Sequence, residues 1–235
     1  QDIFKVVAIN LKTGKERKVV EPGFVPRSNA SLSTNGRFLL WAQTGFHPRW
    51  GLLDYSEIWS FDLVNRKLWR LTEKSRYFTP ALHPSGSQIA AIESTRDQKE
   101  SLVIINSGTK DVIAKHTFEA GIRGAFPTWG EDDKVYFIQQ NATTNALAVY
   151  DPASGDVQKI SKDWQGVLGY VQAKGNYLYF NANFSGTDNI YRFHLLEKTV
   201  EKVTRSRFGT VHPAVIADQI VSADYSNDGY TIKSF

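Results

Sequence analysis

The side chains best suited to acid–base or metal chemistry at neutral pH are five histidines, which are scattered along the chain. They are His47, His83, His116, His194 and His212. His83 and His212 stand near equivalent strand ends of two repeats and could meet in space, although such histidines more often cap a turn. The sequence has no G-x-S-x-G nucleophile elbow, no phosphate-binding loop and no H-E-x-x-H motif. We therefore expect no catalytic, metal or cofactor site in this chain.

One stretch, residues 44–55 (TGFHPRWGLLDY), carries the residue types that proteins use to bind other proteins. An ordinary surface hairpin is polar and rich in Gly, Asn and Asp, whereas interfaces are enriched in aromatic side chains and Arg. The predicted partner-binding residues are Phe46, His47, Arg49, Trp50, Leu52, Leu53 and Tyr55. The alternative is that this loop folds back over a sheet edge or channel mouth and buries its own aromatic rings.

The composition narrows the class of protein. The chain of 235 residues is 41% hydrophobic and 13% aromatic, which is typical of a globular protein rich in β-structure. No apolar run approaches the roughly 18–20 residues that a membrane helix needs, and no signal peptide is visible. The absence of Cys excludes disulfides, and the absence of Met indicates a processed or excised piece. The net charge of +4 comes from dispersed Lys and Arg, so we do not expect nucleic-acid binding.

These candidate residues are embedded in a repeat. An apolar strand end followed by a polar turn residue recurs at Ile9-Asn10, Phe61-Asp62, Ile105-Asn106, Tyr150-Asp151 and Phe193-His194. The spacings are 52, 44, 45 and 43 residues, and the excess of the first interval maps to residues 44–55. The recurring polar residues are of the kind that closes turns, so we assign them a structural role.

Each repeat contains four short strands joined by hairpin turns, which predicts an all-β fold, a β-propeller of four-stranded antiparallel blades. We predict one domain over residues 1–235 with four complete and two partial blades. The approximate bounds are 1–20 (partial), 28–72, 77–117, 123–161, 167–204 and 207–235 (partial). The two partial blades together hold five strands, so we expect the domain to continue outside this chain. The alternative is a closed five-bladed ring with one redundant strand.

The repeat also resembles a known family. Residues 80–86 (PALHPSG) resemble the P-x-φ-S-P-D-G signature of TolB-like (PD40, WD40-like) propeller repeats, with His83 and Ser85 departing from it. Looser copies occur at 30–36, 127–133 and 213–218, and residues 184–191 and 203–209 resemble the propellers of large bacterial envelope proteins. The resemblance implies a propeller fold. It leaves the function open, because such blades occur in periplasmic adaptors, in gating domains of prolyl-oligopeptidase-like peptidases and in sugar-handling proteins.

These features predict a non-catalytic scaffold that mediates protein–protein interaction within a bacterial cell-envelope assembly. The expected partner is a protein associated with the envelope or outer membrane, and the expected location is the periplasm or cell envelope. Nucleic-acid binding and a membrane span within this chain are not expected. Two alternatives stay open: a substrate-gating propeller of a serine peptidase whose catalytic domain lies outside this chain, and small-ligand or glycan binding at the channel mouth.

Overall fold

The computed structural model describes residues 4–26, 31–47, 49, 54–216 and 219–235. All regular structure within these residues is β-strand, and the paired strands of every sheet run antiparallel. Across the same residues there is no helix of the length and apolarity needed to cross a membrane. The predicted all-β class is confirmed.

The strands divide into a short two-stranded sheet and five blades. The two-stranded sheet contains β1 (Val6–Ile9) and β2 (Glu16–Val20). Blade 1 contains β3 (Ser33–Thr34), β4 (Phe38–Phe46), β5 (Asp54–Asp62) and β6 (Lys67–Arg70). Blade 2 contains β7 (Tyr77–Leu82), β8 (Gln88–Ser94), β9 (Glu100–Asn106) and β10 (Val112–Thr117). Blade 3 contains β11 (Arg123–Trp129), β12 (Val135–Gln140), β13 (Asn145–Tyr150) and β14 (Val157–Lys159). Blade 4 contains β15 (Leu168–Lys174), β16 (Tyr177–Ala182), β17 (Asn189–His194) and β18 (Val200–Lys202). Blade 5 contains β19 (Thr210–Ile216), β20 (Gln219–Ser226) and β21 (Gly229–Ser234).

The blades surround a common axis, which their first strands line. β3 contacts β7, β7 contacts β11, β11 contacts β15 and β15 contacts β19. Hydrogen bonds join these first strands from blade to blade: the Leu82 N–H donates to Ser33 Oγ at 2.8 Å, and the Val215 N–H donates to Gln172 Oε1 at 2.7 Å. Propeller geometry follows from this arrangement.

The middle strands are apolar on both faces because each blade is packed between neighbours. Within β9, four consecutive side chains from Leu102 to Ile105 are buried, whereas a half-exposed sheet would alternate. One apolar cluster lies between blades 1 and 2, another between blades 2 and 3, and a third between blades 3 and 4. The outer strands β6, β10, β14 and β18 are largely exposed, so the core lies between the blades.

The recurring polar residues close turns, as predicted. Asn106 Oδ1, for example, accepts hydrogen bonds from the backbone N–H groups of Gly108 at 2.9 Å and Thr109 at 3.0 Å. Equivalent bonds are accepted by Asn10, Asp62, Asp151 and His194. Local satisfaction of the turn backbone explains why Asn, Asp and His recur at this position.

The blade count differs from the sequence-based count of four complete and two partial blades. Five blades are present, and β1 and β2 form a sheet of their own. Val19 and Val20 of β2 pack against Trp41 and Phe61 on the face of blade 1. No residue of β1 is buried, in contrast to the third strands of blades 1 to 4, so its apolar sequence does not indicate the same environment.

A β-bulge interrupts the first strand of blades 2 to 5. The register shifts in each strand, and one non-glycine residue there has a positive φ. These residues are Thr79 (φ 46°), Phe126 (φ 49°), Tyr170 (φ 54°) and His212 (φ 58°). Such backbone conformations are strained in residues that carry a Cβ, and bulges redirect side chains. Thr79 and Phe126 lie beside a cavity between blades 2 and 3.

Candidate functional site

The two ends of the predicted interface stretch belong to paired strands rather than to a loop. β4 and β5 have nine residues each, against seven in β8 and β9, and they remain paired as far as Phe46 and Asp54. We call residues 44–46 and 54–56 the arm. The sequence prediction of a loop over residues 44–55 was therefore too long, because strand pairing continues through Gly45 and Tyr55. Only residues 47–53 connect the two strands.

The arm presents aromatic rings to solvent. Phe46 is 63% exposed and Phe24 is 56% exposed, and their ring centroids lie 6.4 Å apart. The Thr44 N–H donates to the Phe24 carbonyl at 2.8 Å, which holds the segment before blade 1 against the arm. Phe24 was not among the predicted residues. Its only sequence signal is an isolated Phe between Gly and Val, which is too common to single out.

The remaining predicted residues divide into two groups. His47 and Tyr55 have ring centroids 6.4 Å apart, and the exposed Arg49 donates its N–H to His47 Nδ1 at 3.1 Å. The structure therefore places Phe46, His47, Arg49 and Tyr55 together at the arm. The other three predicted residues, Trp50, Leu52 and Leu53, lie outside the described residues.

The base of the arm is tied to the segment that connects blades 1 and 2. Ser56 donates its N–H to the Ser75 carbonyl at 2.9 Å and its hydroxyl to the Tyr77 carbonyl at 2.6 Å. Asp54 Oδ1 accepts a charged hydrogen bond from Arg76 Nη1 at 3.2 Å. These contacts fix the direction in which the arm leaves the blade.

A groove of about 770 Å³ adjoins the arm. It is lined by the connection between blades 1 and 2 and by the hairpin between β8 and β9. The lining contains Arg70, Lys74, Arg76, Arg96 and Lys110 beside Glu73 and Glu93. Arg70 is paired with Glu57 and Glu73, and Arg76 is paired with Asp54, so the excess of positive charge comes from Lys74, Arg96 and Lys110. Burial, reinforced by the Glu93 carboxylate, raises the pKa of Tyr77, so its hydroxyl remains protonated at neutral pH. The groove therefore suits an acidic segment.

His83 lies at the opposite end of the blades and has the turn-capping role expected of it. Its Nδ1 lies 2.7 Å from Ser85 Oγ, two residues along the same turn, and its Nε2 lies 2.9 Å from Asp133 Oδ1. Its ring packs edge-on against Trp129. Ser85, His83 and Asp133 are hydrogen-bonded in the order of a Ser–His–Asp catalytic triad. Ser85 Oγ, however, also bonds Ser87 Oγ at 2.7 Å within the same turn. The arrangement joins the turns of blades 2 and 3.

The structure does not bring His83 and His212 together. His212 packs on Tyr170 with ring centroids 3.7 Å apart, and the desolvation of His212 lowers its pKa. His116 lies beside Phe118 in blade 2, where burial lowers its pKa. Among the described residues, no group of three or more His, Asp or Glu is arranged to hold a metal ion.

The fold and this geometry define a β-propeller whose first blade extends an aromatic arm beside a basic groove. No family model matches the chain, and no curated protein matches it. TolB from Acinetobacter baumannii resembles it over 76% of this chain and 46% of that one, with a TM-score of 0.64 and 17% identity. A putative TolB from Agrobacterium tumefaciens resembles it over 96% of this chain and 81% of that one, with a TM-score of 0.72 and 16% identity.

A third solved structure extends the comparison. The β-propeller domain of the Trilobed protease from Pyrococcus furiosus resembles this chain over 98% of its length and 86% of that domain, with a TM-score of 0.61 and 14% identity. The chain spans just under half the length of the Acinetobacter baumannii protein. At these identities the likeness shows the fold, a TolB-like β-propeller, which confirms the prediction from residues 80–86.

Proposed function

We propose that this propeller is a non-catalytic scaffold that binds a protein partner in the bacterial cell envelope through its arm. The observation that carries the proposal is a pair of exposed aromatic rings: Phe46 at the end of β4, and Phe24 in the preceding segment that is hydrogen-bonded to Thr44 of the arm. Exposed aromatic side chains grouped on a rigid support are typical of interface anchors. The assignment to the cell envelope is supported by the resemblance to TolB-like repeats and by the two TolB structures.

The charge of the groove defines the chemistry of the partner. An apolar group would cover Phe24 and Phe46, and an acidic flanking segment would lie along Lys74 and Arg96. Complementary charges of this kind accelerate association and fix orientation, whereas the buried aromatic contact supplies most of the affinity. Affinity should therefore depend on the rings, and the association rate on ionic strength.

The test places a photo-crosslinking p-benzoylphenylalanine at position 46 in the protein within its native envelope. A matched variant carries the same group at position 196, because Leu196 is 75% exposed in a turn at the opposite end of the blades. We expect one discrete protein adduct at position 46 and none at position 196. Equal adducts at the two positions would contradict the proposal.

The trapped protein is then purified and its affinity measured. Phe24→Ser combined with Phe46→Ser should weaken binding at least about tenfold, because truncated anchors each contribute roughly 1–2 kcal/mol. Leu196→Ser serves as the control and should leave the affinity unchanged. If the double variant binds as tightly as the parent, the arm is not the interface.

A second candidate function is the gating of access to a peptidase active site in a larger protein. The structure that favours it is the propeller domain of the Trilobed protease. A fluorophosphonate probe applied to the intact parent protein distinguishes the two functions. Covalent labelling of a serine outside residues 1–235 would favour the gating function. If the intact parent protein is not labelled, the scaffold function is favoured.

A further inference from the structure

Two exposed tyrosines lie side by side in blade 5. Tyr225, near the end of β20, is 45% exposed, and Tyr230, at the start of β21, is 67% exposed. Their ring centroids are 4.9 Å apart, with an angle of 52° between the ring planes. All ten tyrosines belong to the described residues, and the others are buried or half-buried. Two phenols that are both accessible and in contact are therefore found at this pair.

The pairing of the strands brings these rings together. Tyr225 and Tyr230 are direct partners in the register of β20 and β21. The Tyr225 N–H donates to the Gly209 carbonyl at 2.8 Å, on the side of β20 that faces away from β21. The two tyrosines therefore form a non-hydrogen-bonded pair, the kind in which facing side chains are closest. Only Asn227 and Asp228 connect the two strands, and so short a turn fixes the register.

The composition directs one-electron oxidation toward this pair. The chain has no Cys and no Met, the side chains whose sulfur is readily oxidised in proteins. Tryptophan is also oxidised by radicals, but no tryptophan within the described residues is exposed. A phenol gives up one electron and one proton, and the phenoxyl radical that results persists until it meets a partner. Oxidants that reach this surface therefore react at the exposed phenols.

We propose that Tyr225 and Tyr230 are a site of oxidative cross-linking, at which the two rings are joined as dityrosine. The co-reactant is a one-electron oxidant, such as a peroxidase intermediate formed by hydrogen peroxide. Each phenol loses one electron and one proton, and the two radicals combine through a new bond between ring carbons adjacent to the hydroxyl-bearing carbons. The hydrogens on those carbons then move to the phenol oxygens as protons. The product has two hydrogen atoms fewer, and one hydrogen peroxide takes them up to become two water molecules.

The cross-link would hold an edge strand in place. Within the described residues, β21 is paired with β20 alone, whereas the third strands of blades 1 to 4 are paired on both sides. A covalent bond beside the turn would keep β21 attached to β20 under oxidising conditions. The bond joins residues of one hairpin, so it needs neither a second copy of the chain nor the arm, and the inference is independent of the proposed function.

A second tyrosine pair supplies a matched control. Tyr177 and Tyr179 have ring centroids 6.1 Å apart. Tyr179 is 9% exposed, and the Arg192 guanidinium lies over the Tyr177 ring at 4.7 Å from its centroid. Burial and this cover protect the two rings from an oxidant in solution, so we expect no cross-link between them.

The test treats the full protein, at low concentration, with a peroxidase and hydrogen peroxide. We expect a monomer that has lost two hydrogen atoms and shows the blue fluorescence of dityrosine. A protease that cleaves before Asp cuts the chain between the two tyrosines at Asp228, and the fragments should remain joined by the new bond. Tyr230→Phe keeps the ring and removes the phenol, so the initial rate of fluorescence gain should fall at least about tenfold, because preorganised groups react far faster than separate ones. Tyr177→Phe should leave the rate unchanged.

Thermal unfolding verifies that the variants are folded, and Tyr225→Phe is a second variant that should behave as Tyr230→Phe does. Fluorescence confined to covalent dimers would show that the coupling occurs between chains and would overturn the proposal. So would complete separation of the two fragments after cleavage at Asp228, or an undiminished rate in the folded Tyr230→Phe and Tyr225→Phe proteins.

Discussion

Replacing Thr204 by Val tests how each blade holds its outer strand. The Thr204 hydroxyl accepts a hydrogen bond from the Ile190 N–H at 2.9 Å and donates one to Asn189 Oδ1 at 3.1 Å. Thr204 is 1% exposed, and Ile190 and Asn189 are fully buried. Valine has nearly the volume of threonine but lacks the hydroxyl, so the cost of the exchange lies in the two lost hydrogen bonds rather than in a cavity.

The expected loss follows from the groups left without a partner. In an antiparallel sheet, the N–H and the carbonyl of one residue point to the same side of the strand. The Ile190 carbonyl accepts from the Val203 N–H at 2.8 Å, so the Ile190 N–H also points toward the outer strand β18 and away from β16. Leaving that buried N–H unpaired costs about 1–3 kcal/mol, and the lost bond to Asn189 adds about 1 kcal/mol. We therefore expect Thr204→Val to lower the free energy of unfolding by about 2–4 kcal/mol.

Urea denaturation followed by tryptophan fluorescence measures this difference. Thr72→Val is the matched control in blade 1, where the hydroxyl accepts from the Ile58 N–H at 2.9 Å. Thr72 is half-exposed, so water can replace part of the lost bond and the loss should be near 1 kcal/mol. A loss below 1 kcal/mol for Thr204→Val, or equal losses at the two positions, would refute this reasoning.

Two further predictions concern close packing and acid sensitivity. Gly124→Ala should destabilise the protein by about 1–3 kcal/mol, because the new Cβ would lie 2.7 Å from the Phe118 ring and 2.8 Å from the Ile92 side chain. Chemical denaturation measures this loss of stability. An unchanged denaturation midpoint would show that the two side chains can move away. Burial alone would raise the pKa of Asp224, but hydrogen bonds from Lys233 and two hydroxyl groups outweigh it and lower the pKa to about 2. This pKa lies below the unfolded value of about 3.9, so the ionised carboxylate stabilises the fold above pH 4. The contribution is about 1–2 kcal/mol, because Lys233 is half-exposed and water weakens the ion pair. It disappears as the pH falls toward 2. Asp224→Asn should therefore unfold with a weaker pH dependence between pH 4 and 2, and identical acid-unfolding curves would contradict the assignment.

The sequence predicted the architecture because the repeated signals are local. A side chain such as Asn106 both ends a strand and satisfies the turn that follows, so its recurrence marks the same place in each blade. The apolar run of β9 likewise reports a sheet covered on both faces. Local chemistry of this kind can be recognised without knowledge of the neighbouring blades.

The arm was predicted less accurately because its length depends on strand pairing. The longer first repeat interval placed a loop over residues 44–55, yet Gly45 pairs with Tyr55 and Phe46 pairs with Asp54. Backbone hydrogen bonds to an available partner strand outweigh the weak intrinsic preference of Gly against strands. The position of the insertion could be read from the sequence, but its conversion into paired strands could not.

The bulges could not have been predicted from residue type. Phe126, Tyr170 and His212 are aromatic whereas Thr79 is not, and only His is a residue type that readily adopts positive φ. Their conformations are imposed by packing around the axis, which involves residues more than 40 positions apart. Long-range packing also leaves the Thr79 hydroxyl unpaired, and no pattern in the sequence reports it.

The groove and the smaller cavity between blades 2 and 3 occur at the same end of the blades for a physical reason. At the opposite end, the turns after the third strands satisfy their own polar groups through side chains such as Asn106. At the arm end, the connections bond across blades instead: Arg76 Nη1 contacts Asp54 at 3.2 Å, and Arg76 Nε donates to the Ser94 carbonyl at 3.0 Å. Ser94 lines both the groove and the smaller cavity. Arg76 therefore bonds both to Asp54 of the arm and to Ser94, the residue that lines both recesses, so replacing Arg76 would remove both contacts.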